Sequence, residues 1–402
     1  MMNADNRVLI SGGGIAGLTL GILLKEKGWE PTIVERALAV LTEGYVIDFF
    51  GTGWDVAERM GLAEELRKIT YPIDSLRYVD EHGKTYLSLP VAIVKNALSG
   101  QYNYMQRSDL ERVLFERAKM LGLNVRFGTT IQSLEDVGTA VNVTLNDGTR
   151  ESFALVFGAD GVHSHVRELA FGPEPHFDRF LGYYVAAFHL ENHRYEIGTS
   201  LSIHEETDRS LWVYSLGGNK MSAVYIFRHE NVGYVPPTER LPLLRKIYHG
   251  AGWIAEGILS DLVNTEPTFF DSATQIVMPS WSKGRVALLG DACACLTLLA
   301  GQGSHLAMAE AYVIATELER YGGDHVAAFA TYEKRLKAAT MKKQRDAVRI
   351  SKFFVPSKNS FIALRHLIER IFFSKLLISY GFKFFGVKSV LSDYKGAAGQ
   401  TT

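Results

Sequence analysis

The 402-residue chain contains only two cysteines, Cys293 and Cys295, and a single residue separates them. Two cysteines cannot build a disulfide framework, and they lack the four-ligand spacing of a structural zinc site. Cysteines one residue apart are also poor disulfide partners in a strand or loop of ordinary geometry. We therefore expect both to be small buried packing residues, and we expect no metal site.

Long apolar runs are also missing. No uninterrupted apolar stretch reaches the roughly 18 to 20 residues that a membrane span needs. No positively charged segment followed by an apolar stretch precedes the first predicted strand, so we expect no secretory signal and a cytoplasmic location. With 47% hydrophobic residues and no internal repeat, the chain can bury a large core and divide into two or three domains.

The net charge of −1 at pH 7 conceals an uneven distribution. From Lys334 to the C-terminus, 15 Lys and Arg residues stand against three acids, which gives this segment a net charge of +12. It either forms a helix pair that packs across the domains and closes the substrate site, or makes peripheral contact with anionic lipid. We favour the first, because Pro356 and Gly381 divide the segment into helix-sized pieces.

A glycine-rich signature lies near the start of the chain. Gly12, Gly14 and Gly17 form a GxGxxG turn between the apolar run Val8 to Ile10 and a helical pattern. The first glycine permits the turn, the second lets the backbone approach a pyrophosphate, and the third allows close packing of helix on strand. Glu35, after the next strand, has the spacing of an acid that binds a ribose hydroxyl. This unit predicts a dinucleotide site and fits NAD and FAD equally well.

Two later signatures favour the flavin. Gly158 to Gly161 contains Asp160, and Gly290-Asp291-Ala292 follows an apolar strand. Asp291 is suited to bind hydroxyl groups of a ribityl chain. A glycine-rich loop then opens a helix near Ser304, whose N-terminal N–H groups would face a ring carbonyl where negative charge develops on reduction.

The middle of the chain has a different pattern. From Phe180 to about Phe270, long strands of alternating character predict an antiparallel sheet in a second domain, and a further strand pair turns at His82-Gly83. The aromatic residues of these strands would give a flat hydrophobic ligand a suitable surface. Upstream, a loop with Gly44 and Gly51 could pass close to a flat ring system.

In combination, these motifs resemble the single-component FAD-dependent aromatic hydroxylases, the para-hydroxybenzoate hydroxylase-like flavoprotein monooxygenases, a group that includes tetracycline-inactivating enzymes. The resemblance covers about Arg7 to Arg320. It implies a mixed α/β fold with a Rossmann-like FAD-binding domain, an antiparallel β-sheet substrate domain and a C-terminal helical segment. The expected boundaries are 1–74, 98–172 and 276–333 for the FAD-binding domain, 75–97 and 173–275 for the substrate domain, and 334–402 for the helical segment.

The resemblance also implies which residues hold the cofactor, whereas no residue stands out as catalytic. Arg36 would lie near the adenosine. Arg107 would lie near the phosphate or ribityl region, just before a helix for which we predict Ser108 as the N-cap and Glu111 three residues on. The full expected set is Gly12, Gly14, Ala16, Gly17, Glu35, Arg36, Arg107, Asp160, Asp291, Gly301, Gly303 and Ser304.

The activity implied by the resemblance rests mostly on the cofactor. NADPH or NADH reduces FAD, O₂ reacts with the reduced flavin, and one oxygen atom reaches an electron-rich substrate. That substrate would be an aromatic or polyketide-like small molecule, tetracycline-type compounds included, which is hydroxylated or oxidatively inactivated. The chain has no second GxGxxG for a separate nicotinamide domain. We expect a monomer or homodimer and no nucleic-acid partner.

One segment departs from the family's pattern. Between Ala292 and Ala300 many relatives carry an aromatic residue or His followed by prolines, where this chain has Cys293 to Leu299. The missing prolines, with the basic apolar tail, leave open an alternative: an FAD-dependent reductase or dehydrogenase of the same fold that acts on a lipid or isoprenoid without O₂. A flavin-containing binding or sensor protein is a third class.

Overall fold

The fold is known from a computed structural model that describes residues 6–40, 44–98, 101–191, 193–262, 267, 269–297, 301–357, 389–391 and 394. The strands of this part of the chain are β1 (Arg7–Ser11), β2 (Glu30–Glu35), β3 (Val46–Phe50), β4 (Ser75–Val79), β5 (Thr85–Pro90), β6 (Tyr102–Gln106), β7 (Asn124–Phe127), β8 (Ile131–Asp136), β9 (Val141–Leu145), β10 (Arg150–Phe153), β11 (Leu155–Gly158), β12 (Asp178–Glu191), β13 (Ser200–Glu206), β14 (Arg209–Gly217), β15 (Lys220–Arg228), β16 (Phe269–Ile276), β17 (Ser282–Lys283) and β18 (Val286–Leu288). The helices are α1 (Ile15–Glu26), α2 (Thr52–Arg59), α3 (Ala63–Lys68), α4 (Val91–Ala97), α5 (Arg107–Met120), α6 (His165–Phe171), α7 (Pro237–Ile247), α8 (Ala255–Asp261), α9 (Asp291–Ala294), α10 (Gly303–Arg320) and α11 (His325–Phe354).

A six-stranded sheet of order β17-β18-β11-β1-β2-β7 brings the three signatures together. All neighbours in it are parallel except β17 and β18. The apolar run Val8 to Ile10 is fully buried, as a parallel sheet covered on both faces requires. The adjacent strands β1 and β18 end at Ser11 and Leu288, one and two residues before a signature, and β11 ends at Gly158, the first residue of the second signature. The carboxyl edge of such a sheet is where ligands bind.

Two glycines allow the tight packing at the β1–α1 turn. Gly12 has a φ of +107°, and a Cβ there would lie 2.3 Å from the carbonyl oxygen of Ala159. A Cβ on Gly17 would lie 2.0 Å from the carbonyl oxygen of Gly12. The predicted roles of Gly12 in the turn and of Gly17 in helix packing are therefore confirmed.

A seven-stranded sheet of order β16-β12-β15-β14-β13-β4-β5 forms the second layer. Its pairs are antiparallel except β13 with β4. Alternate residues point to opposite faces, so Tyr184 packs with α7 and α8, whereas Tyr183 and Val185 form an apolar face with residues of β6. The predicted mixed α/β fold, its antiparallel sheet and the strand pair at His82-Gly83 are confirmed, while the domain boundaries stay a prediction.

A short antiparallel pair, β3 with β6, lies against that apolar face. β6 runs directly into α5, which begins at Arg107 with Gln106 as its N-cap. The prediction of Ser108 as the N-cap is therefore wrong. Because the chain turns into the helix one residue earlier, Ser108 already lies in the first turn and its hydroxyl donates to Gln106 Oε1 at 3.4 Å.

The long helix α11 carries the first part of the basic segment, and most of the predicted helix pair after it lies outside the described residues. Tyr394 is buried and its hydroxyl donates to Glu317 Oε1 at 2.6 Å, while Arg59 Nη1 donates to the Tyr394 carbonyl at 3.2 Å. Within the described ranges, no helix has both the length and the apolar character needed to cross a membrane.

We expect Gly17→Ala to lower the free energy of unfolding by about 3 kcal/mol or more. The added methyl group would meet the Gly12 carbonyl oxygen, a backbone atom that cannot rotate aside. Gly21→Ala in the same helix is the control, because its methyl group would meet the side-chain ends of Leu123 and Ile33 at 2.8 and 2.9 Å. Urea unfolding of the ligand-free protein measures both, and equal losses would contradict the assignment.

Candidate active site

Two adjoining cavities form one cleft at the carboxyl edge of the six-stranded sheet. An outer cavity of about 840 Å³ lies against the first signature, and an inner cavity of about 310 Å³ lies against the third. Gly14, Arg36, Arg107 and Asp160 line both, so the cavities are continuous. Of the predicted cofactor residues, the cleft is lined by Gly12, Gly14, Ala16, Glu35, Arg36, Arg107, Asp160, Asp291, Gly301, Gly303 and Ser304, whereas Gly17 lines neither cavity.

The outer cavity combines a helix N-terminus with a fixed carboxylate. Helix α1 begins after Gly14 without a capping side chain at that position and without an acid in its first turn, and the Ile15 N–H faces the Glu111 carboxylate. The other N–H groups of this first turn can bind an anion. The Glu35 carboxylate accepts hydrogen bonds from the backbone N–H groups of Gly13 and Ala37, both at 2.7 Å. These bonds hold a carboxylate, with further lone pairs for hydroxyl groups, at the end of β2.

An ion pair sits where the two cavities meet. Arg107 Nη2 lies 2.7 Å from Glu111 Oε1, one helical turn away on α5. A Cβ on Gly14 would come within 3.4 Å of Glu111 Oε1 and 3.6 Å of Arg107 Nη2, so both groups face the α1 N-terminus. Burial raises the pKa of Glu111 even though the adjacent guanidinium acts against the rise. The pair therefore places the Arg107 guanidinium, already partnered by Glu111, beside the path of the predicted diphosphate.

The inner cavity contains polar atoms that lack partners. Helix α10 begins at Gly303 without a side-chain cap and without an acid in its first turn. Ser304 Oγ and Thr297 Oγ1 are both buried, line this cavity and have no hydrogen-bond partner among the described residues. Buried hydroxyls are ordinarily satisfied, so these atoms favour a ligand with polar ring atoms. A flavin ring, with its carbonyl and ring-nitrogen groups, fits this set.

Asp291 stands at the start of α9 and is open to the cleft. A Cβ on Gly303 would lie 3.7 Å from Asp291 Oδ1, so the carboxylate faces the α10 N-terminus. The surrounding protein raises the pKa of Asp291 by desolvation, and the nearby Arg107 opposes this effect. Hydroxyl groups of a bound polyol can therefore reach and donate to this carboxylate.

The second signature connects parts of the protein rather than offering free oxygens to the cleft. Asp160 accepts from the N–H groups of His165 and Val166 at 2.9 and 3.1 Å, and from the Ser164 hydroxyl. Its carboxylate is therefore occupied at the N-terminus of α6.

Arg167 joins the second signature to the third. Its buried guanidinium donates to the Val162 carbonyl at 2.7 Å, to the Ala292 carbonyl at 3.1 Å and to Glu174 Oε2 at 2.6 Å. Glu174 also lies 2.9 Å from His163 Nδ1, whose other nitrogen lies 3.6 Å from Asp271 of β16. The Asp271 and Glu174 carboxylates raise the pKa of His163 to about 9. The imidazolium thus bridges the loop before α6 to the seven-stranded sheet at neutral pH.

The segment after α9 is bonded to the seven-stranded sheet. The N–H of Ile276 donates to the Cys295 carbonyl at 3.3 Å, and Gln275 Nε2 donates to the Leu296 carbonyl at 3.0 Å. Both bonds start from the end of β16. The third signature and the sheet are therefore joined directly.

Both cysteines are buried and free, so their predicted role as packing residues is confirmed. Cys295 Sγ donates to the Thr274 carbonyl at 3.3 Å, whereas Cys293 lies next to Glu310. Burial raises the pKa of both thiols, which disfavours reactive thiolates. Among the residues described, no three His, Cys, Asp or Glu side chains are grouped so that they could hold a metal ion.

A carboxyl group that sequence reasoning missed lies behind the inner cavity. Asp48 Oδ1 accepts a hydrogen bond from the Tyr102 hydroxyl at 3.0 Å, and the Tyr104 hydroxyl lies 3.0 Å from that of Tyr102. A Cβ on Gly301 would lie 3.9 Å from Asp48 Oδ2, so the carboxyl group borders the glycine-rich loop. Burial raises the pKa of Asp48 to about 6. This group can therefore exchange a proton near neutral pH.

A signal for this group was present in the sequence. Asp48 is the one charged residue in the apolar strand Val46–Phe50, and the alternation of that strand places it on the side of Val46 and Phe50. His305 Nε2 lies 2.7 Å from the Asp48 carbonyl oxygen and fixes the strand. Burial lowers the pKa of His305 to about 4, so the neutral ring donates this bond.

The chain matches the protein family described as "FAD binding domain" over residues 5–342. A flavin-dependent monooxygenase from an unknown prokaryotic organism is 29% identical over 364 residues, which cover 88% of this chain and 91% of that protein. The FAD-dependent monooxygenase asL4 of Sarocladium schorii is 30% identical over 335 residues, which cover 79% and 76%.

A solved structure is similar over nearly the whole chain. The crystal structure of tetracycline destructase Tet(55) superimposes with a TM-score of 0.80 at 29% identity. The match covers 92% of this chain and 96% of that protein. The similarity of fold therefore extends well beyond the six-stranded sheet.

We expect the buried carboxyl group of Glu310 to make stability depend on pH. Glu310 Oε2 accepts from the Gly290 N–H, Oε1 has no partner in the described part of the chain, and burial raises the pKa to about 8 from 4.5. Between these values the folded protein keeps a proton that the unfolded chain releases, so the free energy of unfolding falls as pH rises from 5 to 8.

Glu310→Gln keeps an acceptor for Gly290 and cannot ionise, so it should lose this component. We expect its pH dependence between 5 and 8 to be smaller than that of the wild type by more than about 1 kcal/mol. Urea unfolding of the ligand-free protein at several pH values measures the difference, with Glu168→Gln on the exposed side of α6 as the control. Parallel curves for the wild type and Glu310→Gln would refute the assignment.

Proposed function

We propose that this protein hydroxylates or oxidatively inactivates a flat aromatic or polyketide-like compound. The chain belongs to the FAD binding domain family and is a flavin-dependent monooxygenase that acts on a small molecule with O₂. The observation that carries the substrate class is the aromatic lining of the inner cavity, where the rings of Tyr45 and Phe269 lie edge to face with centroids 5.3 Å apart. The likeness to a tetracycline destructase supports the same class.

The proposed placement of FAD follows the two cavities. The adenosine diphosphate half would lie in the outer cavity, with its diphosphate at the α1 N-terminus and beside Arg107, and its ribose at Glu35. The ribityl chain would reach Asp291, and the ring would lie in the inner cavity. When bound there, FAD supplies the redox chemistry, and the chain's residues orient it and exclude water.

NADPH or NADH is the proposed reductant. The chain contains one GxGxxG unit, which the flavin dinucleotide would occupy. The nicotinamide would therefore reach the flavin through the cleft opening rather than from a second nucleotide-binding domain. Arg36, which lines both cavities, supplies a guanidinium group at this opening for a phosphorylated cosubstrate.

Asp48 is the proposed acid–base group for the substrate. Electrophilic oxygen transfer to an aromatic or enolic carbon is faster when the substrate hydroxyl has lost its proton. The proton would pass from the substrate oxygen to Asp48, with the electron pair left on that oxygen, while the Tyr102 and Tyr104 hydroxyls orient the carboxyl group.

The alternative of a reductase that acts without O₂ is not favoured, because similar proteins with a named activity are monooxygenases. Isotope labelling separates the two functions directly. An oxygenase incorporates one ¹⁸O atom from ¹⁸O₂ into its product, whereas a reductase incorporates none.

We expect the purified protein to be yellow and to oxidise NADPH or NADH slowly on its own. One compound from a panel of phenols, aromatic polyketides and tetracyclines should accelerate this oxidation at least about tenfold, because substrate binding positions the flavin for reduction. Absorbance at 340 nm and an oxygen electrode measure the rates, and mass spectrometry under ¹⁸O₂ identifies the product. A colourless protein that FAD cannot reconstitute would refute the proposal.

We expect Asp48→Asn to lower kcat by about 100-fold or more with the most active compound of that panel, because a general base is lost. In the wild type, kcat should rise with pH through about 6, where Asp48 becomes the ionised base, and Asp48→Asn should lose this rise. Tyr71→Phe is the control, since the Tyr71 hydroxyl also meets a carboxylate, Asp109 Oδ2 at 3.3 Å, outside the inner cavity. An unchanged pH profile in Asp48→Asn would exclude this role.

A further inference from the structure

Thr297 lies in the segment where the chain departs from the family's proline-bearing pattern. Its φ is +104°, a region that favours glycine and is a genuine outlier for a β-branched residue. A backbone strained in this way persists only where the surrounding structure holds it, and such residues cluster at active sites. Cys295, two residues earlier, is fixed by the bond from Ile276 of β16. Leu296, the residue before Thr297, is held by Gln275 of the same strand, so the chain enters Thr297 from a fixed position.

The hydroxyl group of Thr297 has no partner within the described residues although the residue is only 4% exposed. It lines the inner cavity, together with the buried and equally unpartnered Ser304 Oγ. Two orphaned donors and the uncapped α10 N-terminus thus surround one cavity. Buried hydroxyl groups seldom stay unsatisfied, so a ligand that accepts hydrogen bonds at this point would complete the site.

We propose that the Thr297 hydroxyl donates a hydrogen bond to the isoalloxazine ring of bound FAD. The strained backbone places this donor in the cavity, at a position where the family's pattern has prolines that carry no side-chain donor. The inference rests on the proposed placement of the ring in the inner cavity and does not depend on the substrate.

This hydrogen bond has a defined electrochemical effect. The flavin ring gains negative charge on reduction, and a fixed donor stabilises that charge more than it stabilises the oxidised ring. The Thr297 hydroxyl therefore raises the midpoint potential of the bound flavin. Its removal should make the potential more negative and weaken the binding of oxidised FAD as well, because one polar contact is lost.

The test compares Thr297→Val, which keeps the branched shape without the hydroxyl, with Thr297→Ser, which keeps the hydroxyl. We expect Thr297→Val to bind FAD about tenfold more weakly and to have a more negative midpoint potential and a shifted visible spectrum. Thr297→Ser should stay within about twofold of the wild type. Fluorescence titration of the apoprotein with FAD and dye-equilibration potentiometry provide these values without any substrate.

Two further variants address folding. Thr297→Gly suits a φ of +104° and removes the hydroxyl, so it should unfold at higher temperature than the wild type in the apoprotein yet bind FAD more weakly. Thr340→Val is the matched control, because Thr340 Oγ1 is also buried and unpartnered among the described residues, but lies on α11 and lines neither cavity. Its FAD affinity should equal that of the wild type.

Distinct outcomes separate this inference from the proposed function. Wild-type binding of FAD together with weakened binding by Asp291→Asn supports the proposed placement. If Thr297→Val and Thr297→Gly then match the wild type in affinity, spectrum and potential, the Thr297 bond does not exist. If Thr297→Ser is as impaired as Thr297→Val, shape rather than the hydroxyl is responsible and the inference is wrong. Unchanged binding by Asp291→Asn overturns the placement and, with it, the inference.

Discussion

The close approach of three backbone segments at Gly12 is the constraint on which the rest of the structure depends. Its carbonyl oxygen lies where a Cβ on Gly17 would be, and its own missing Cβ leaves room for Ala159. This contact packs the end of β1, the first turn of α1 and the end of β11 directly against one another. The α1 N-terminus then faces a cleft whose opposite wall comes from the second and third signatures.

A second set of contacts converts this arrangement into one site. Arg167 is buried and has the carbonyl of Ala292 and the carboxylate of Glu174 as partners. It therefore keeps the third signature in register with the second. The residues beside it, Asp160 and His163, are also held by hydrogen bonds and ion pairs within the protein. Most of the polar groups of the second signature thus stabilise the walls of the cleft.

Much of this arrangement could be predicted from the sequence, because glycines at the GxGxxG positions specify a tight turn between a strand and a helix. The order of the three signatures predicted the cleft, and alternation in the middle of the chain predicted the second sheet. Asp48 was missed because its partners Tyr102 and Tyr104 come from a strand more than 50 residues away, and only the pairing of β3 with β6 unites them. The Thr297 conformation is likewise invisible in sequence, since the bonds that hold the two preceding residues come from the distant strand β16.

The bonds between β16 and the segment after α9 link two parts of the molecule mechanically. Gln275 and Ile276 hold the carbonyls of Leu296 and Cys295, one and two residues before Thr297. The same strand carries Asp271 and Thr274 into the inner cavity. One strand thus supplies part of the cavity lining and also fixes the segment that carries Thr297, so the seven-stranded sheet and the third signature cannot separate without breaking these bonds.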